Sequence, residues 1–381
     1  MEDLSVLQDE LARAMAELGL WPADSPWVRR AAETHPRHRF APTRLWSWNG
    51  RDEYVAFDRG ADPEAWARLL YAGPYESTVT QVIDGMPTSS LSCESIVADM
   101  LDALDLEPGH TTLELGTATG RNARLLAERA GPGRVVSVEY DPHLAEAAVT
   151  NLTATGGGVE VRVGDGAVGA PDRGPYDRII STYAVETVPW AWVEQTRPGG
   201  RIVTPWGRLG HVALTVAPDG RSASGWIQGL AMFMPARGTQ SRTWEQVHDE
   251  HPVTAQTRVD LDVAALHEDA NGLFALRVIR PDIEVRTAAT EGGLAAWAHD
   301  GRSSWARIAT EGGPATAWQG GPRRLADELA AGRQEWQAAG APALWDIGMT
   351  RTPDAQYLWA YDPETGPRWG HREVPAGERA A

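Results

Sequence analysis

The chain has 381 residues, a formal net charge of −17 at pH 7 and 42% hydrophobic residues. This length exceeds the usual size of one domain, so we expect a core domain with an extension. The negative charge argues against a nucleic-acid substrate, whose phosphates would be repelled. The single cysteine, Cys93, excludes an intrachain disulfide and a cysteine-based zinc site. No histidine spacing is typical of a metal site, so no metal is predicted.

Membrane and secretion signals are absent from the sequence pattern. No apolar run approaches the length of a membrane span, and the first residues lack the basic, apolar and small-residue order of a signal peptide. We therefore expect a cytoplasmic protein with no membrane partner.

The N-terminal part shows helical periodicity. Apolar residues recur at helical spacing over the first twenty positions: Leu4, Leu7, Leu11, Met15 and Leu18. A proline-bounded loop at Pro36–Pro42 follows, and we predict a helical lid region over residues 1–87. Residues Glu94–Asp105 are predicted to form a helix, because their apolar side chains fall on one side.

Strand and helix patterns then alternate, which is typical of a doubly wound parallel sheet. The predicted strands are Thr111–Leu115, Val135–Glu139, Val159–Val163, Tyr176–Thr182, Arg201–Pro205 and His211–Val216. Beyond about Pro218 the order weakens into short strands, Gly-rich turns and one helix at Arg323–Ala338. The predicted domains are thus 1–87, a core at 88–240, and an α+β extension at 241–381.

The segment LELGTATGR at Leu113–Arg121 is the most informative part of the core. An apolar strand enters a turn containing Gly116 and Gly120, and the next strand ends on Glu139, 23 residues after Gly116. This spacing is close to that between a Gly-rich nucleotide turn and the carboxylate that binds the ribose hydroxyls. Glycine allows the backbone to approach a ligand without a Cβ clash.

Two further acids indicate which nucleoside is bound. Glu114 precedes the turn, and Asp165 in GDGA (Gly164–Ala167) follows the next predicted strand, where it can accept from an adenine amino group. Ala118 interrupts the three-glycine pattern that a dinucleotide needs. The order of these elements favours S-adenosylmethionine.

Several motifs resemble those of protein-L-isoaspartate O-methyltransferases. They cover roughly Val28 to Gly238 and read VRRAAETHPRHRFAP, TSSLSCESIVADML, LELGTATGR, GDGA, YDRIISTYAVETVP, RPGGRIVTPWG and MFMPARG. The resemblance implies a Rossmann-like class I methyltransferase fold that uses S-adenosylmethionine and releases S-adenosylhomocysteine.

The resemblance also implies the site residues. Thr88–Ser92 aligns with the family's serine-rich active-site loop, which makes Ser92, Ser90 and Ser89 candidate catalytic residues; a helix N-cap is the alternative role for Ser92. The cofactor-binding residues would be Glu114, Gly116, Thr117, Ala118, Gly120, Glu139, Tyr140, Asp165, Gly166, Ala167 and Thr182. Candidate substrate-binding residues are Arg121, Thr88, Arg37 and His38. The basic cluster around Arg37 suits an acidic peptide, although a solvated helix face explains it equally well.

The sequence departs from the family pattern at a few positions. Ala118 and Arg121 stand where the family usually has Gly and Tyr, and Leu91, Cys93 and Glu94 replace Ser, Gln and Pro. Ala118 should fit if its φ is negative. Arg121 can hold a carboxylate with two hydrogen bonds.

The extension suggests a particular branch of the family. The chains of repair enzymes usually end soon after the Phe-x-Pro segment, which is Phe233–Pro235 here. This chain continues for about 140 residues beyond it. Gly321–Trp336 and Met349–Pro363 are similar to the C-terminal region of methyltransferases associated with ATP-grasp-modified peptides (graspetides). The resemblance implies methylation of an aspartate in a cyclised precursor peptide, within the pathway of its ATP-grasp maturase, and closure of the ester to an aspartimide that persists or hydrolyses to isoaspartate. The alternatives are repair of isoaspartyl proteins, lanthipeptide tailoring and, more distantly, a non-catalytic peptide-binding module.

Overall fold

The computed structural model describes residues 4–207, 209–238, 242–310 and 314–373, with backbone only for 371–373. These residues form two compact units. The first comprises the described parts of Met1–Ser224 together with Ala231–Met234, and the second those of Gly225–Leu230 and Pro235–Val374. No helix in the described ranges is long and apolar enough to cross a membrane.

The first unit begins with helices and a small antiparallel sheet. Its elements are α1 (Leu4–Glu17), α2 (Pro26–Thr34), a 3-10 turn (Arg37–Arg39), β1 (Arg44–Trp48), β2 (Tyr54–Asp58), α3 (Pro63–Leu70), β3 (Thr78–Ile83) and β4 (Met86–Leu91). The strand order is β2-β1-β3-β4. One face of α1 is buried through Leu7, Leu11 and Met15, as the apolar periodicity predicts.

The sheet corrects the prediction that residues 1–87 are helical and that Thr88–Ser92 is a loop. Asp84 and Gly85 have φ values of 50° and 76° and join β3 to β4. An Asp-Gly pair with positive φ forms the tight turn that matches the twist of a β-hairpin. The serine-rich segment therefore lies mainly on a hairpin strand.

The predicted doubly wound sheet is confirmed. Its elements are α4 (Glu94–Ala103), β5 (Thr112–Leu115), α5 (Arg121–Ala130), β6 (Val135–Glu139), α6 (Pro142–Thr155), β7 (Glu160–Val163), a 3-10 turn (Pro171–Arg173), β8 (Tyr176–Ser181), α7 (Trp190–Glu194), β9 (Thr196–Trp206) and β10 (Gly210–Val216). Strands β7-β6-β5-β8-β9 are parallel neighbours, and β10 is antiparallel to β9. Every residue of β5 and β6 is buried, as expected for strands covered on both faces.

This topology determines where a ligand can bind. From β5 the chain proceeds outward to β6 and β7, and then crosses back to β8 on the other side of β5. In such sheets ligands bind outside the carboxyl ends of the strands, at the point where the strand order reverses. Gly116, Glu139, Gly164 and Thr182 all lie at that edge, because each ends or follows one of these strands.

The second unit has its own α+β core. Its elements are β11 (Ala223–Gly229), which enters from the first unit, α8 (Trp244–Glu250), β12 (Val253–Arg258), α9 (Val263–Glu268), α10 (Ala270–Ile279), β13 (Glu284–Thr290), β14 (Gly293–His299), β15 (Trp305–Thr310), β16 (Thr316–Gly320), α11 (Leu325–Ala338), a 3-10 turn (Leu344–Asp346), β17 (Ile347–Arg351), β18 (Ala355–Ala360) and β19 (Arg368–Glu373). Strands β12-β16-β15-β14-β13 form an antiparallel sheet over an apolar core. Most tryptophans of this unit are at least partly buried, whereas Trp345 is 63% exposed.

Candidate cofactor and substrate site

The glycine turn after β5 is held by Thr182. The hydroxyl of Thr182 donates to the carbonyl oxygen of Gly116 at 2.6 Å. Gly116 has φ +96°, and a Cβ atom on it would lie 2.4 Å from Thr182 Oγ1. Glycine is therefore required here by the protein's own packing, as well as by any ligand that approaches the turn.

Ala118 does not adopt the negative φ that we expected. Its φ is +48°, in the left-handed region that costs a non-glycine residue roughly 1–2 kcal/mol. The conformation directs the amide of Ala118 to Glu139, whose Oε2 accepts a hydrogen bond of 2.8 Å. The strained turn thus orients the carboxylate at the end of β6.

Glu139 is well placed to accept from a ribose. Its second oxygen, Oε1, accepts from the amide of Asp141 at 3.0 Å, so two backbone amides fix the carboxylate. Each carboxylate oxygen can accept a further hydrogen bond, which leaves capacity for the two ribose hydroxyls. Tyr140, between these residues, is 59% exposed, and its ring is available to an adenine.

The rest of the turn acts by shaping the backbone. Gly120 has φ +84° and is the N-cap of α5; a Cβ atom there would lie 3.2–3.3 Å from Leu152 and Ala148 of α6. The side chain of Thr117 is buried and shares a 2.6 Å hydrogen bond with Ser137. Only the backbone of Thr117 can therefore face a ligand.

Glu114 is fully buried, which corrects its prediction as a direct cofactor ligand. It accepts hydrogen bonds from Asn122 Nδ2 at 2.9 Å and from Ser137 Oγ at 2.5 Å. Burial raises the pKa of its carboxyl to about 7, although the two hydrogen bonds oppose that shift. Glu114 can therefore affect cofactor binding only indirectly, through Asn122 and Ser137, whose side chains it fixes.

The GDGA segment lies where an adenine-binding loop is expected. Asp165 is exposed, and its Oδ1 accepts from the amide of Ala167 at 2.8 Å. The carbonyl of Gly166 accepts from Trp192 Nε1 at 2.8 Å, which fixes the loop. A Cβ atom on Gly166 would lie 2.3 Å from the hydroxyl of Tyr183. Sequence reasoning missed Tyr183, although its place directly after Thr182 at the end of β8 was an available signal.

Gln81 connects two parts of the site, and the sequence analysis did not identify it. The first is the β3–β4 hairpin that carries the candidate serines (the serine hairpin), and the second is the edge formed by the carboxyl ends of β5 to β8 (the cofactor edge). Gln81 Nε2 donates to Asp141 Oδ2 at 3.1 Å, and its Oε1 accepts from Thr88 Oγ1 at 2.7 Å. Asp141 follows the ribose acid by two residues. Thr88 is therefore linked through Gln81 to the loop beside Glu139. Its hydroxyl already has a hydrogen-bond partner within the protein.

The three candidate serines have different environments. Ser89 is buried, and its Oγ accepts from Thr80 at 3.0 Å, so it is unsuited to contact a substrate. Ser90 and Ser92 are only half-buried. The N-cap of α4 is Cys93, which makes no side-chain cap, so Ser92 is not the N-cap. Ser92 and Ser90 remain the candidates for substrate contact.

Arg121 holds a carboxylate, but that carboxylate belongs to the protein. Its Nη1 and Nη2 donate to Glu94 at 2.9 and 2.7 Å, and its Nε donates to the carbonyl of His35. Both side chains are about 5% exposed. Burial opposes ionisation of Glu94, but the guanidinium groups of Arg121 and Arg37 outweigh it and hold the pKa of Glu94 below its usual value. Arg121 is therefore a structural residue and is not available to a substrate.

Arg37 and His38 are also engaged within the protein. Arg37 is buried and donates to the carbonyl of Ser92 at 2.6 Å, as well as to Leu70, Leu91 and Thr78. His38 Nδ1 is 2.7 Å from the hydroxyl of Tyr71. The proposed peptide-docking role of Arg37 is wrong, because its guanidinium is not at the surface; it positions the backbone of Ser92 instead. Within the described ranges no group of His, Cys, Asp or Glu side chains is arranged to hold a metal ion.

The fold defines the class of protein: a Rossmann-like class I methyltransferase. Residues 62–236 match the family model described as protein-L-isoaspartate(D-aspartate) O-methyltransferase (PCMT). The chain is 45% identical over 159 residues to the protein-L-isoaspartate O-methyltransferase of Staphylothermus marinus, covering 39% of this chain and 71% of that protein. It is 40% identical over 155 residues to protein-L-isoaspartate O-methyltransferase 2 of Archaeoglobus fulgidus, covering 39% and 69%. The chain therefore belongs to the protein-L-isoaspartate O-methyltransferase family.

The coverage of other relatives is smaller. The chain spans about half the length of the namesake enzymes of Aeropyrum pernix (53%) and Methanopyrus kandleri (54%), at 45% identity to each. A solved protein-L-isoaspartate O-methyltransferase is similar in fold with a TM-score of 0.52 at 19% identity, covering 91% of this chain and 96% of that one. The matched 91% of the chain contains more residues than the first unit, so the similarity in fold extends into the second unit.

Proposed function

We propose that the protein is an S-adenosylmethionine-dependent carboxyl O-methyltransferase that acts on a peptide or protein. The observation that carries this proposal is the fixed carboxylate of Glu139, held by the amides of Ala118 and Asp141 at the topological switch point. Asp165 and Tyr140 at the same edge suit an adenine. These donors and acceptors fit S-adenosylmethionine, which supplies an electrophilic methyl group when bound.

The chain's own residues would act mainly by positioning. An aspartate or isoaspartate carboxylate, with a reference pKa near 3.9, is already ionised at neutral pH and needs no general base. Hydroxyl donors can orient such a carboxylate without neutralising it, and Ser92 and Ser90 supply them. Arg37 fixes the carbonyl of Ser92 at 2.6 Å, so the serine backbone is preorganised. Displacement of water by the hairpin would raise the reactivity of the carboxylate.

For the substrate we favour an aspartate in an ATP-grasp-cyclised precursor peptide. The support is the resemblance of Gly321–Trp336 and Met349–Pro363 to the graspetide-associated branch. After methylation, the backbone nitrogen of the next residue would attack the ester carbonyl and expel methanol, which gives an aspartimide. The peptide shows one methyl gained and then a net loss of one water.

Repair of isoaspartyl proteins is the second candidate, and the comparisons are compatible with it. The relatives carry that name, and a solved namesake matches 91% of the chain in fold. A long extension is therefore compatible with repair, contrary to the expectation from length. The sequence of the extension still supports the graspetide branch.

We assign the recognition of the peptide to the second unit. A groove of about 470 Å³ lies between α10, α11 and the 3-10 turn at Leu344–Asp346. Its lining includes Trp336, Arg333 and the exposed Trp345. Tryptophan and arginine are the side chains that most often anchor peptide partners. A full-length precursor should depend on this groove, whereas a short isoaspartyl peptide should not.

Intact-mass analysis with S-adenosylmethionine distinguishes the candidates. The peptides are an isoaspartyl peptide, a linear aspartyl precursor and its ester-cyclised form. Methyl gain and net water loss only on the cyclised form would support graspetide tailoring. Methylation only of the isoaspartyl peptide would establish repair and reject our choice of substrate. No methylation of any peptide, with S-adenosylhomocysteine still bound, would favour a non-catalytic binding module.

Two serine variants provide a matched pair for the mechanism. Ser92→Ala should lower kcat by roughly 10- to 100-fold with little change in cofactor affinity, because it removes only an orienting donor. Ser89→Ala removes a buried hydroxyl from the same hairpin and should affect stability more than kcat. Equal losses of kcat in both variants would reject a direct role for Ser92.

A further inference from the structure

Tyr183 crosses the edge of the sheet where the cofactor is expected. It follows β8, yet its ring extends from the turn after β5 to the loop after β7. A Cβ atom on Gly116 would lie 3.1 Å from Tyr183 Cδ1, and one on Gly166 would lie 2.3 Å from its hydroxyl. Strands β5 and β6 lie between β8 and β7 in the sheet, so the ring passes over the carboxyl ends of the strands that carry Gly116 and Glu139.

The surroundings of Tyr183 agree with this position. Burial raises the pKa of its hydroxyl above the usual value, and the carboxylates of Asp165 and Glu139 raise it further. Both acids are those expected to bind the adenosyl group. On one side the ring meets Trp192 edge-on, with centroids 6.3 Å apart, and Trp192 also holds the carbonyl of Gly166. The ring is thus supported by the protein yet remains half-buried, with part of its surface accessible.

A second tyrosine lies at the same edge. Tyr140 follows Glu139 directly and is 59% exposed. Tyr140 follows β6 and Tyr183 lies just after β8, and these two strands are the neighbours of β5 in the sheet. Aromatic rings at these two positions, close to Glu139 and Asp165, suit a flat, nitrogen-rich base, because every base presents a π-face for stacking.

We propose that Tyr183 is a wall of the cofactor pocket and that its ring stacks with the adenosyl group. This inference rests on the proposed use of S-adenosylmethionine and deepens it. Tyr183 acts through its aromatic face, and its hydroxyl faces the Gly166 loop. A residue in this role contributes to cofactor affinity and leaves the orientation of the substrate to the serine hairpin.

Calorimetric titration with S-adenosylhomocysteine and with adenosine tests this role. Tyr183→Leu keeps much of the side-chain volume but removes the aromatic face, and it should weaken both ligands by roughly tenfold or more. Tyr183→Phe keeps the ring and should bind within about threefold of the wild type. Tyr140→Leu should weaken both ligands in the same way. The thermal unfolding midpoint of each variant without ligand shows whether the variant is folded.

Three results would overturn the inference. Unchanged affinity of folded Tyr183→Leu would show that the ring does not contact the adenosyl group. Tighter binding would show that Tyr183 obstructs the cleft. If Tyr183→Leu does not fold, weak binding by folded Tyr183→Phe would assign the effect to the hydroxyl and reject stacking. Failure of the wild type to bind S-adenosylhomocysteine would reject the proposed function itself, whereas binding without peptide methylation would leave the role of Tyr183 intact.

Discussion

Arg121 and Glu94 form a buried, bidentate ion pair with N–O distances of 2.9 and 2.7 Å. By the resemblance described above, the family usually has Tyr and Pro at these positions, and in this structure the two departing residues contact each other directly. The pair joins the start of α5, next to the glycine turn, to the start of α4, next to Ser92. It therefore connects the cofactor turn with the serine hairpin.

Removal of one partner of this pair should be costly. Among the described residues, Arg121→Met leaves the buried Glu94 with one cationic partner, Arg37 at 3.5 Å. The substitution should lower the free energy of unfolding by about 3–5 kcal/mol. The double variant Arg121→Met, Glu94→Gln should lose clearly less than the sum of the two single variants, because no unpaired carboxylate remains. Urea unfolding of the four proteins measures this coupling. Additive losses would contradict a direct ion pair.

Glu114 should make stability depend on pH in an unusual direction. Its pKa is about 7 in the folded protein, above that of an unfolded glutamate, so the folded state keeps a proton that the unfolded state releases. Between pH 4.5 and 7 this group should therefore lower stability as the pH rises, by about 3 kcal/mol in total.

The variant Glu114→Gln isolates this contribution. It is uncharged at all pH values and can still share hydrogen bonds with Asn122 and Ser137, so its stability relative to wild type should increase from pH 5 to pH 8. Unfolding free energies at both pH values provide the measurement. A constant difference between the two proteins would show that Glu114 titrates normally.

Ala118→Gly should relieve the strain of the turn. At φ +48° glycine avoids the left-handed penalty of alanine, but it also has more conformational freedom to lose on folding. We expect a stability change of less than about 1 kcal/mol and cofactor affinity within about twofold. Ala118→Val, with a branched side chain at the same φ, should be destabilised and should bind S-adenosylhomocysteine weakly. Equal behaviour of both variants would contradict the positive φ.

Gln81→Leu should separate catalysis from cofactor binding. The substitution removes the hydrogen bonds to Asp141 and Thr88 while it keeps the approximate volume. We expect kcat to fall by about 3- to 30-fold, because the serine hairpin is no longer held in position next to the cofactor edge. Affinity for S-adenosylhomocysteine should change little.

The control for this prediction is Gln8→Leu, at a glutamine of α1 that donates to Glu33. It should leave both kcat and cofactor affinity unchanged. A fall in cofactor affinity as large as the fall in kcat for Gln81→Leu would mean that Gln81 supports the Glu139 loop and not the hairpin.

The parallel sheet and its ligand-binding edge could be predicted from the sequence because both depend on local patterns. Alternation of strands and helices determines the topology, and the interval from Gly116 to Glu139 determines which acid follows the turn. The hairpin of β3 and β4 was also accessible in principle, since Asp84-Gly85 is a strong turn signal. The helical interpretation of residues 1–87 overlooked it.

By itself the sequence determined the doubly wound fold, the order of the cofactor motifs and the excess of acidic charge, because each is a property of neighbouring residues. Only the tertiary structure decided the partners of side chains that are far apart in the chain. It paired Arg121 with Glu94 and brought the guanidinium of Arg37 to the carbonyl of Ser92. It also joined Gln81 to Asp141 by a hydrogen bond and placed the ring of Tyr183 across the strand ends. A cation or a tyrosine in a sequence does not reveal its partner, because burial and the approach of distant segments determine whether it faces a substrate or the protein itself.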